Sequence, residues 1–135
     1  MAFLEWDDSF SVKVGEIDRQ HHELVNMLNH LNDAMKNGKS RDNMGNILDD
    51  LTDYAATHFA LEEKYFDQFN YLKSFIHKKE HAKFVKKVME FKHGFDNGHM
   101  MLSLDVMTFL KEWLVSHIKG SDKDYTRCFN ENGLH

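Results

Sequence analysis

Residues 52–66, TDYAATHFALEEKYF, place a histidine and a glutamate four positions apart in a segment with helical periodicity. On a helix, His58 and Glu62 leave the same face about one turn apart. At ~100° per residue, Glu63 falls on the opposite side, where we expect water. A buried carboxylate is costly unless it is paired or bound to a metal, so Glu62 is either half of a buried pair with His58 or a metal ligand. The face that they share is mostly apolar and carries Met44, Ile47, Leu51, Tyr54, Ala55 and Tyr65.

Composition and charge limit the class of protein. The chain has 135 residues, no proline and a formal net charge of -5. We expect a single domain, residues 1–135, built from long helices. The acidic balance, with lysines and acids interspersed, argues against a nucleic-acid partner and predicts no basic patch for a membrane.

The ends of the chain and its cysteine content bear on its location. The first ten residues lack a signal-peptide pattern, and no stretch approaches the ~20 apolar residues of a membrane span. We therefore expect a cytoplasmic protein. The one cysteine, Cys128, excludes an internal disulfide and a cysteine-rich zinc site, whereas ten histidines are many for a chain of this size.

Apolar residues at helical spacing predict four helices, over residues 19–37, 41–68, 72–93 and 103–119. Asp18 is the predicted N-cap of the first helix, and Ser103 or Asp105 that of the fourth. Residues 93–99 are a predicted loop, residues 1–16 an ordered arm on the bundle, and residues 124–129 a short C-terminal helix. Amphipathic helices joined by short links are typical of an all-α, up-down-up-down four-helix bundle.

Polar residues recur on the inward faces of all four predicted helices. His22 and His30 fall outside the inward stripe of the first helix, and His93 falls outside that of the third. The inward set is His21 from the first helix, His58 and Glu62 from the second, His77 and His81 from the third, and His117 from the fourth, with Asp122 just beyond it.

Asp122 follows His117 by five residues, a spacing that an uninterrupted α-helix would rotate by ~140° away. We therefore expect a break at Gly120 and Ser121 that returns Asp122 to the end of the bundle. Buried imidazoles and carboxyls without a metal would each need a hydrogen-bond partner. Neutral imidazoles and ionised carboxylates are also what a divalent or trivalent cation coordinates. The inward set therefore predicts a metal centre.

The runs GEIDRQHHEL, HFALEE, HKKEHAKF and WLVSHIKGSD resemble the motifs of the hemerythrin family, in the single-domain form called bacteriohemerythrin. The resemblance extends from Trp6 to about Tyr125. It implies two iron ions, one held by His77, His81 and His117 and the other by His21 and His58. It also implies that Glu62 and Asp122 bridge the two irons together with an oxo or hydroxo group.

Counting these implied ligands leaves one position open on the iron that holds two histidines, because two six-coordinate irons need one donor more than the set supplies. The resemblance names the occupant as dioxygen and implies reversible binding in an oxygen carrier, store or delivery protein rather than an enzyme. We expect a monomer that serves an oxygen-consuming enzyme. The predicted walls of the ligand pocket are Leu24, Phe59, Trp113, Leu114 and Ile118.

Other classes of protein remain as alternatives. A peroxidase-like activity stays open, because any open ferrous position permits it, whereas a diiron oxidase or ferritin-like enzyme normally carries Glu-x-x-His on two helices and more carboxylates than histidines. Here the only such pair within a helix is Glu90 and His93, and it faces outward. A zinc protein seldom uses seven protein ligands. An oxygen sensor would need a separate signalling partner.

Overall fold

The computed structural model describes residues 3–38, 41–96 and 104–135. A 3₁₀ turn, Asp8–Phe10, precedes α1 (Gly15–Lys36), α2 (Arg41–Phe69), α3 (Ser74–Asp96) and α4 (Leu104–Ser116). A π-helix, His117–Asp122, continues from α4 and is followed by α5 (Thr126–Glu131). No strand occurs in the described ranges, so the all-α prediction is confirmed.

The helices are arranged so that each contacts the next. α1 packs along α2, α2 packs along α3, and α4 returns to contact α1. The apolar stripe that defines α1 in the sequence is buried, as with Leu24, Leu28 and Leu31. Tertiary burial of such stripes supplies most of the stability of helices of this kind.

Two apolar clusters make up the core, one at each end of the bundle. The larger cluster contains Leu24, Phe59 and Ile118, and the smaller one contains Ile17, Phe66 and Tyr125. On each of three chain segments, the predicted site residues lie between a member of the larger cluster and a member of the smaller one. The polar site is therefore enclosed between two dry regions of the bundle.

The N-terminal arm is ordered on the bundle, as predicted. Phe10, Val12 and Val14 are buried. Leu4 exchanges two hydrogen bonds of 2.8 Å with the side-chain amide of Asn29 on α1, one donated by each residue. These contacts hold the arm against the first helix.

The predicted start of the first helix is wrong by one turn. α1 begins at Gly15, and its N-cap residue is Val14 rather than Asp18. Asp18 instead accepts a hydrogen bond from the Val12 N–H (2.8 Å) and another from the Ser11 hydroxyl (2.6 Å). The position of Asp18 just before the apolar stripe predicts a cap, but its carboxylate ties the arm to a helix that has already begun.

The loop predicted over residues 93–99 is also partly wrong. α3 continues to Asp96, so His93 and Gly94 are helical, and His93 is exposed as expected. Burial of Phe95 in the bundle accounts for the extra turn, because it gives the helix an apolar anchor beyond the glycine. His99 and the predicted cap Ser103 lie outside the described residues.

Candidate metal centre

The seven predicted site residues come together in the interior of the bundle, each at most 4% exposed. Their donor atoms form two groups in which every atom lies within 4.8 Å of the others. Two carboxylates belong to both groups. The first group is Glu62, His77, His81, His117 and Asp122, and the second is His21, His58, Glu62 and Asp122.

The first group contains three imidazoles whose Nε2 atoms face one another. Nε2 of His117 lies 3.1 Å from Nε2 of both His77 and His81. Oδ1 of Asp122 lies 2.9 Å from Nε2 of His77 and 3.0 Å from Nε2 of His117. Glu62 closes the group, since its Oε1 is 3.3 Å from Nε2 of His81.

The second group takes the remaining two imidazoles and shares both carboxylates with the first. Oδ2 of Asp122 is 3.0 Å from Nε2 of His21. Oε1 of Glu62 is 3.2 Å from Nε2 of His58, and its Oε2 is 3.8 Å from Nε2 of His21. Asp122 thus directs one oxygen to each group.

Asp122 reaches the site by a route that differs from the expected one. The prediction of a break at Gly120 and Ser121 is wrong, because the chain remains helical through Asp122 as a π-helix. Hydrogen bonding from i to i+5 widens the turn, so residues five apart share a face. His117 and Asp122 are such a pair, and both point into the site.

Three residues that the sequence reasoning missed hold the outer nitrogens of the imidazoles. Nδ1 of His58 is 2.7 Å from Oε1 of Gln20, and Nδ1 of His81 is 2.9 Å from Oε2 of Glu63. Nδ1 of His117 is 3.2 Å from Oε1 of Glu80, which also accepts a hydrogen bond from Ser121. An ionised carboxylate only accepts, so Nδ1 carries the hydrogen and Nε2 keeps its lone pair for the interior.

The prediction that Glu63 faces water is only partly correct. Its side chain is 33% exposed and reaches around the helix to His81. Gln20, Glu63 and Glu80 share a signal in the sequence, because each stands next to a predicted ligand. A residue beside an inward position lies ~100° around the helix, where a long side chain meets the neighbouring helix.

Tyr125 is a fourth residue that the sequence reasoning missed. Its hydroxyl donates a hydrogen bond to Oε2 of Glu62, and the phenol is fully buried. Burial, together with the negative charge of Glu62, raises the pKa of Tyr125 well above its usual value. The phenol therefore stays protonated and remains a donor to Glu62.

The buried carboxylates of the cluster stay ionised, and they stabilise positive charge on the imidazoles next to them. Burial opposes ionisation of Asp122, but the charge of His117 beside it holds its pKa well below the usual range. Burial would lower the pKa of His117, yet Asp122 raises it to about 9. Burial and Asp122 also disfavour an ionised Glu62, and the adjacent His58 nevertheless lowers its pKa. In the absence of a metal, protons on the imidazoles supply the positive charge that balances these carboxylates, and a bound metal cation would replace them.

The donor atoms fit a metal better than they fit one another. Both carboxylate oxygens of Asp122, Oε1 of Glu62 and both ring nitrogens of His21 have no hydrogen-bond partner among the described residues. Nε2 of His81 lies 3.1 Å from Nε2 of His117. If both nitrogens keep their lone pairs, the lone pairs repel each other at this distance unless a cation lies between them. Two donors bound ~2.1 Å from one metal ion lie ~3–3.4 Å apart, and the contacts of 2.9–3.3 Å in the first group fit ligands of a shared ion.

An apolar cavity of about 20 Å³ adjoins this cluster. On this measure a single water needs roughly 10–15 Å³, so the cavity accommodates one small molecule. The Phe59 ring stacks on His81 with centroids 3.9 Å apart, and the Trp113 ring stacks on His117 at 4.3 Å. Ile118 is buried but does not line this cavity. The lining side chains are Leu24, Leu28, Leu51, Ala55, Phe59, Phe84, Leu110, Trp113 and Leu114.

Comparison with known proteins agrees with this geometry. The sequence profile of the Hemerythrin HHE cation-binding domain matches residues 12–128. The chain is 36% identical over 125 residues to a bacteriohemerythrin of Stenotrophomonas maltophilia (strain R551-3), which covers 93% of this chain and 80% of the relative. It is 34% identical over 131 residues to a bacteriohemerythrin of Methylococcus capsulatus, covering 96% and 99% of the two chains.

Solved structures give the same result for the fold. A crystal structure of wild-type hemerythrin superposes with a TM-score of 0.90 at 34% identity and covers 94% of this chain and 98% of that one. A leucine-to-alanine variant of hemerythrin superposes with a TM-score of 0.91 and covers 95% and 98%. The chain belongs to the hemerythrin family and has its four-helix bundle fold. The buried histidine and carboxylate cluster is a non-haem metal site.

Within residues 3–38, 41–96 and 104–135, no helix combines the length and apolar character that crossing a bilayer requires.

Proposed function

We propose that this protein binds dioxygen reversibly at a pair of iron ions and acts as an oxygen carrier or store. The observation that carries the proposal is the apolar cavity beside a histidine-rich donor set that shares two carboxylates. The comparisons support oxygen binding by family, through the bacteriohemerythrins of similar length.

The residues would hold two irons in the division that the two groups suggest. His77, His81 and His117 would hold one ion, and His21 and His58 the other. Glu62 and Asp122 would bridge them, since each contacts imidazoles of both groups. Seven protein donors, five of them imidazoles, favour a pair of irons over zinc, which is almost always four-coordinate in structural sites.

Bound iron would supply redox electrons and one open coordination position for a diatomic ligand. The chain supplies the surroundings. Glu63, Glu80 and Gln20 fix the tautomers and orientations of three imidazoles, and Tyr125 fixes Glu62. These contacts would hold the ligand side chains in one arrangement in either oxidation state of bound iron.

The cavity favours release of the ligand over its chemical conversion. None of its lining side chains is ionisable, so they offer no acid that could deliver a proton to a bound molecule. Phe59 and Trp113 also cover the faces of two imidazoles and exclude water from that side. This is the main reason for proposing a carrier rather than an oxidase or peroxidase.

We also propose storage or delivery of oxygen to an oxygen-consuming enzyme as the physiological role, with the protein acting in the cytoplasm. The single free thiol, Cys128, fits a reducing compartment.

Metal analysis combined with anaerobic reduction and oxygen titration tests the proposal. We expect two irons per chain and an absorption spectrum that changes with oxygen and returns when oxygen is removed. Zinc in place of iron would contradict the metal assignment. Oxygen consumption with turnover of an added reductant, and no return of the starting spectrum, would identify an enzyme instead.

A further inference from the structure

The outward side of α3 is uncovered along most of its length. At ~100° per residue, Phe75, Ile76, Lys79, Lys83 and Lys86 fall within about a third of a turn, opposite to His81. All five are exposed. We call this surface, together with Leu72 in the preceding turn, the α3 outer face.

The N-terminal end of the α3 outer face is apolar and protrudes. Leu72 is 97% exposed, Phe75 71% and Ile76 63%. Asn70 adopts a positive φ of 51° and reverses the chain just before this point, so Leu72 lies in the turn and Phe75 and Ile76 lie in the first turn of α3. Isolated exposed apolar residues are common on protein surfaces, whereas a group of three large ones indicates a contact surface.

The remainder of the α3 outer face is basic from Lys79 to Lys86, beyond which Glu90 is an exposed acidic residue in the same sector. Seven of the 17 lysines and arginines in the chain lie between residues 73 and 92, with only two of the 22 acidic residues. The expectation of no basic patch, drawn from the net charge of -5, does not hold here because net charge says nothing about placement. Lys79, Lys83 and Lys86 have no carboxylate within 4.0 Å among the described residues. Nζ of Lys79 lies 4.6 Å from the centre of the Phe75 ring, and none of the three charges is neutralised by a carboxylate of the described residues.

We propose that the α3 outer face docks the protein on an anionic phospholipid bilayer. The three apolar side chains would enter the interface between headgroups and acyl chains, and the lysines would lie against the charged headgroups. The bundle would then lie with α3 along the surface, without any segment crossing the bilayer.

Two features favour a bilayer over an acidic protein. All seven basic residues between 73 and 92 are lysines, and the three arginines, Arg19, Arg41 and Arg127, lie elsewhere. Arginine is the residue suited to paired contacts with carboxylates, and lysine is depleted at protein interfaces. A convex apolar turn also needs a matching pocket in a protein, whereas a fluid bilayer adapts to it.

Sedimentation with lipid vesicles tests the proposal on the full chain. The probes are vesicles of equal parts phosphatidylglycerol and phosphatidylcholine, with vesicles of phosphatidylcholine alone for comparison. We expect binding to the anionic vesicles that weakens as salt is added, because exposed charges are screened within about 10 Å at 0.1 M. Absence of binding to anionic vesicles, or equal binding to both compositions at all salt concentrations, would overturn the proposal.

Substitutions separate the two parts of the α3 outer face. Phe75→Ser and Ile76→Ser should each lower the partition coefficient about tenfold, as for partial loss of a buried apolar side chain. The triple change Lys79→Gln, Lys83→Gln, Lys86→Gln should lower it on the order of a hundredfold, at about fivefold per lysine. All these residues are exposed, so we expect the variants to fold.

Matched controls lie elsewhere on the surface. Met89→Ser removes another exposed apolar side chain of α3, one that is 48% exposed and falls to the side of the outer face. Lys13→Gln, Lys36→Gln and Lys123→Gln together remove the same charge from exposed sites on other segments. Neither control should change vesicle binding by more than about twofold. Equal losses in the controls and the test variants would contradict a role for this face. Dimerisation that is abolished by Phe75→Ser, without vesicle binding, would assign the face to a second copy of the chain.

Discussion

Nε2 of His117 lies 3.0 Å from Oδ1 of Asp122, although the two residues are five positions apart in one continuous helix. An α-helix would separate these side chains by ~140°, whereas the π-helix places them on the same face. One widened turn therefore brings into the site a carboxylate that contacts both groups of imidazoles. The π-helix is thus the local change in backbone geometry that lets both His117 and Asp122 point into the site.

Gly120 lies within that π-helix, and replacing it tests whether the turn depends on a glycine. A Cβ atom there would meet nothing within 4 Å, and the φ is not positive. Gly120→Ala should leave metal content unchanged and stabilise the protein by about 0.5–1 kcal/mol, because alanine loses less backbone entropy in a helix. Metal analysis and urea unfolding check both expectations.

Gly38 provides the contrast, since its φ is +62° and its Cβ would also meet nothing. Gly38→Ala should cost about 1–2 kcal/mol for conformational strain alone. Loss of metal from Gly120→Ala would show that the turn needs a glycine break after all.

The sequence predicts the bundle and the seven converging residues well because both depend on helical periodicity, which burial of one face enforces. It misses Glu63 and Tyr125 for different physical reasons. Glu63 has a flexible side chain that crosses to a neighbouring helix, which a helical angle does not capture. Tyr125 depends on where α5 packs, a matter of tertiary structure. The π-helix escapes prediction because the spacing of His117 and Asp122 is equally compatible with a broken helix.

Glu63→Ala should weaken metal binding about 10–100-fold, since the carboxylate orients His81 and raises its basicity. Competition with a chelator during metal loading measures the affinity. Asp53→Ala is the matched control, because Asp53 is exposed on the same helix and does not contact the cluster. Equal affinities in the two variants would mean that the contact between Glu63 and His81 has no role in binding.

Tyr125→Phe should lower the free energy of unfolding by about 1.5–3 kcal/mol, because it removes a buried hydrogen bond to a charged Glu62. Tyr71→Phe is the natural control. The Tyr71 phenol is also buried, but its hydroxyl has no hydrogen-bond partner among the described residues, so its removal should leave stability unchanged or raise it. Urea unfolding of the metal-loaded proteins gives both values.

The metal-free protein should lose stability as the pH rises. The pKa of His117 is raised from 6.5 to about 9 despite burial, mainly by Asp122. A raised folded-state pKa contributes stability that is complete below about pH 6.5 and is lost as the pH passes through about 9. We expect a loss on the order of 1–3 kcal/mol across that window. Urea unfolding after chelation measures it, with His30→Gln as a control at an exposed histidine. A flat profile would contradict the ion pair.

Filling the apolar cavity should slow oxygen binding without removing the metal. Ala55 lines the cavity and does not contact the donor atoms, so Ala55→Val adds volume to a space of about 20 Å³. Overpacking should cost about 1–3 kcal/mol of stability. Stopped-flow absorption after anaerobic reduction should show an oxygen association rate reduced several-fold with iron content unchanged. Ala82→Val places the same side chain at an exposed position on α3 and should leave the rate unaltered. If both variants bind oxygen at the rate of the unmodified protein, oxygen reaches the site by another route, and the cavity is a packing defect rather than the ligand pocket.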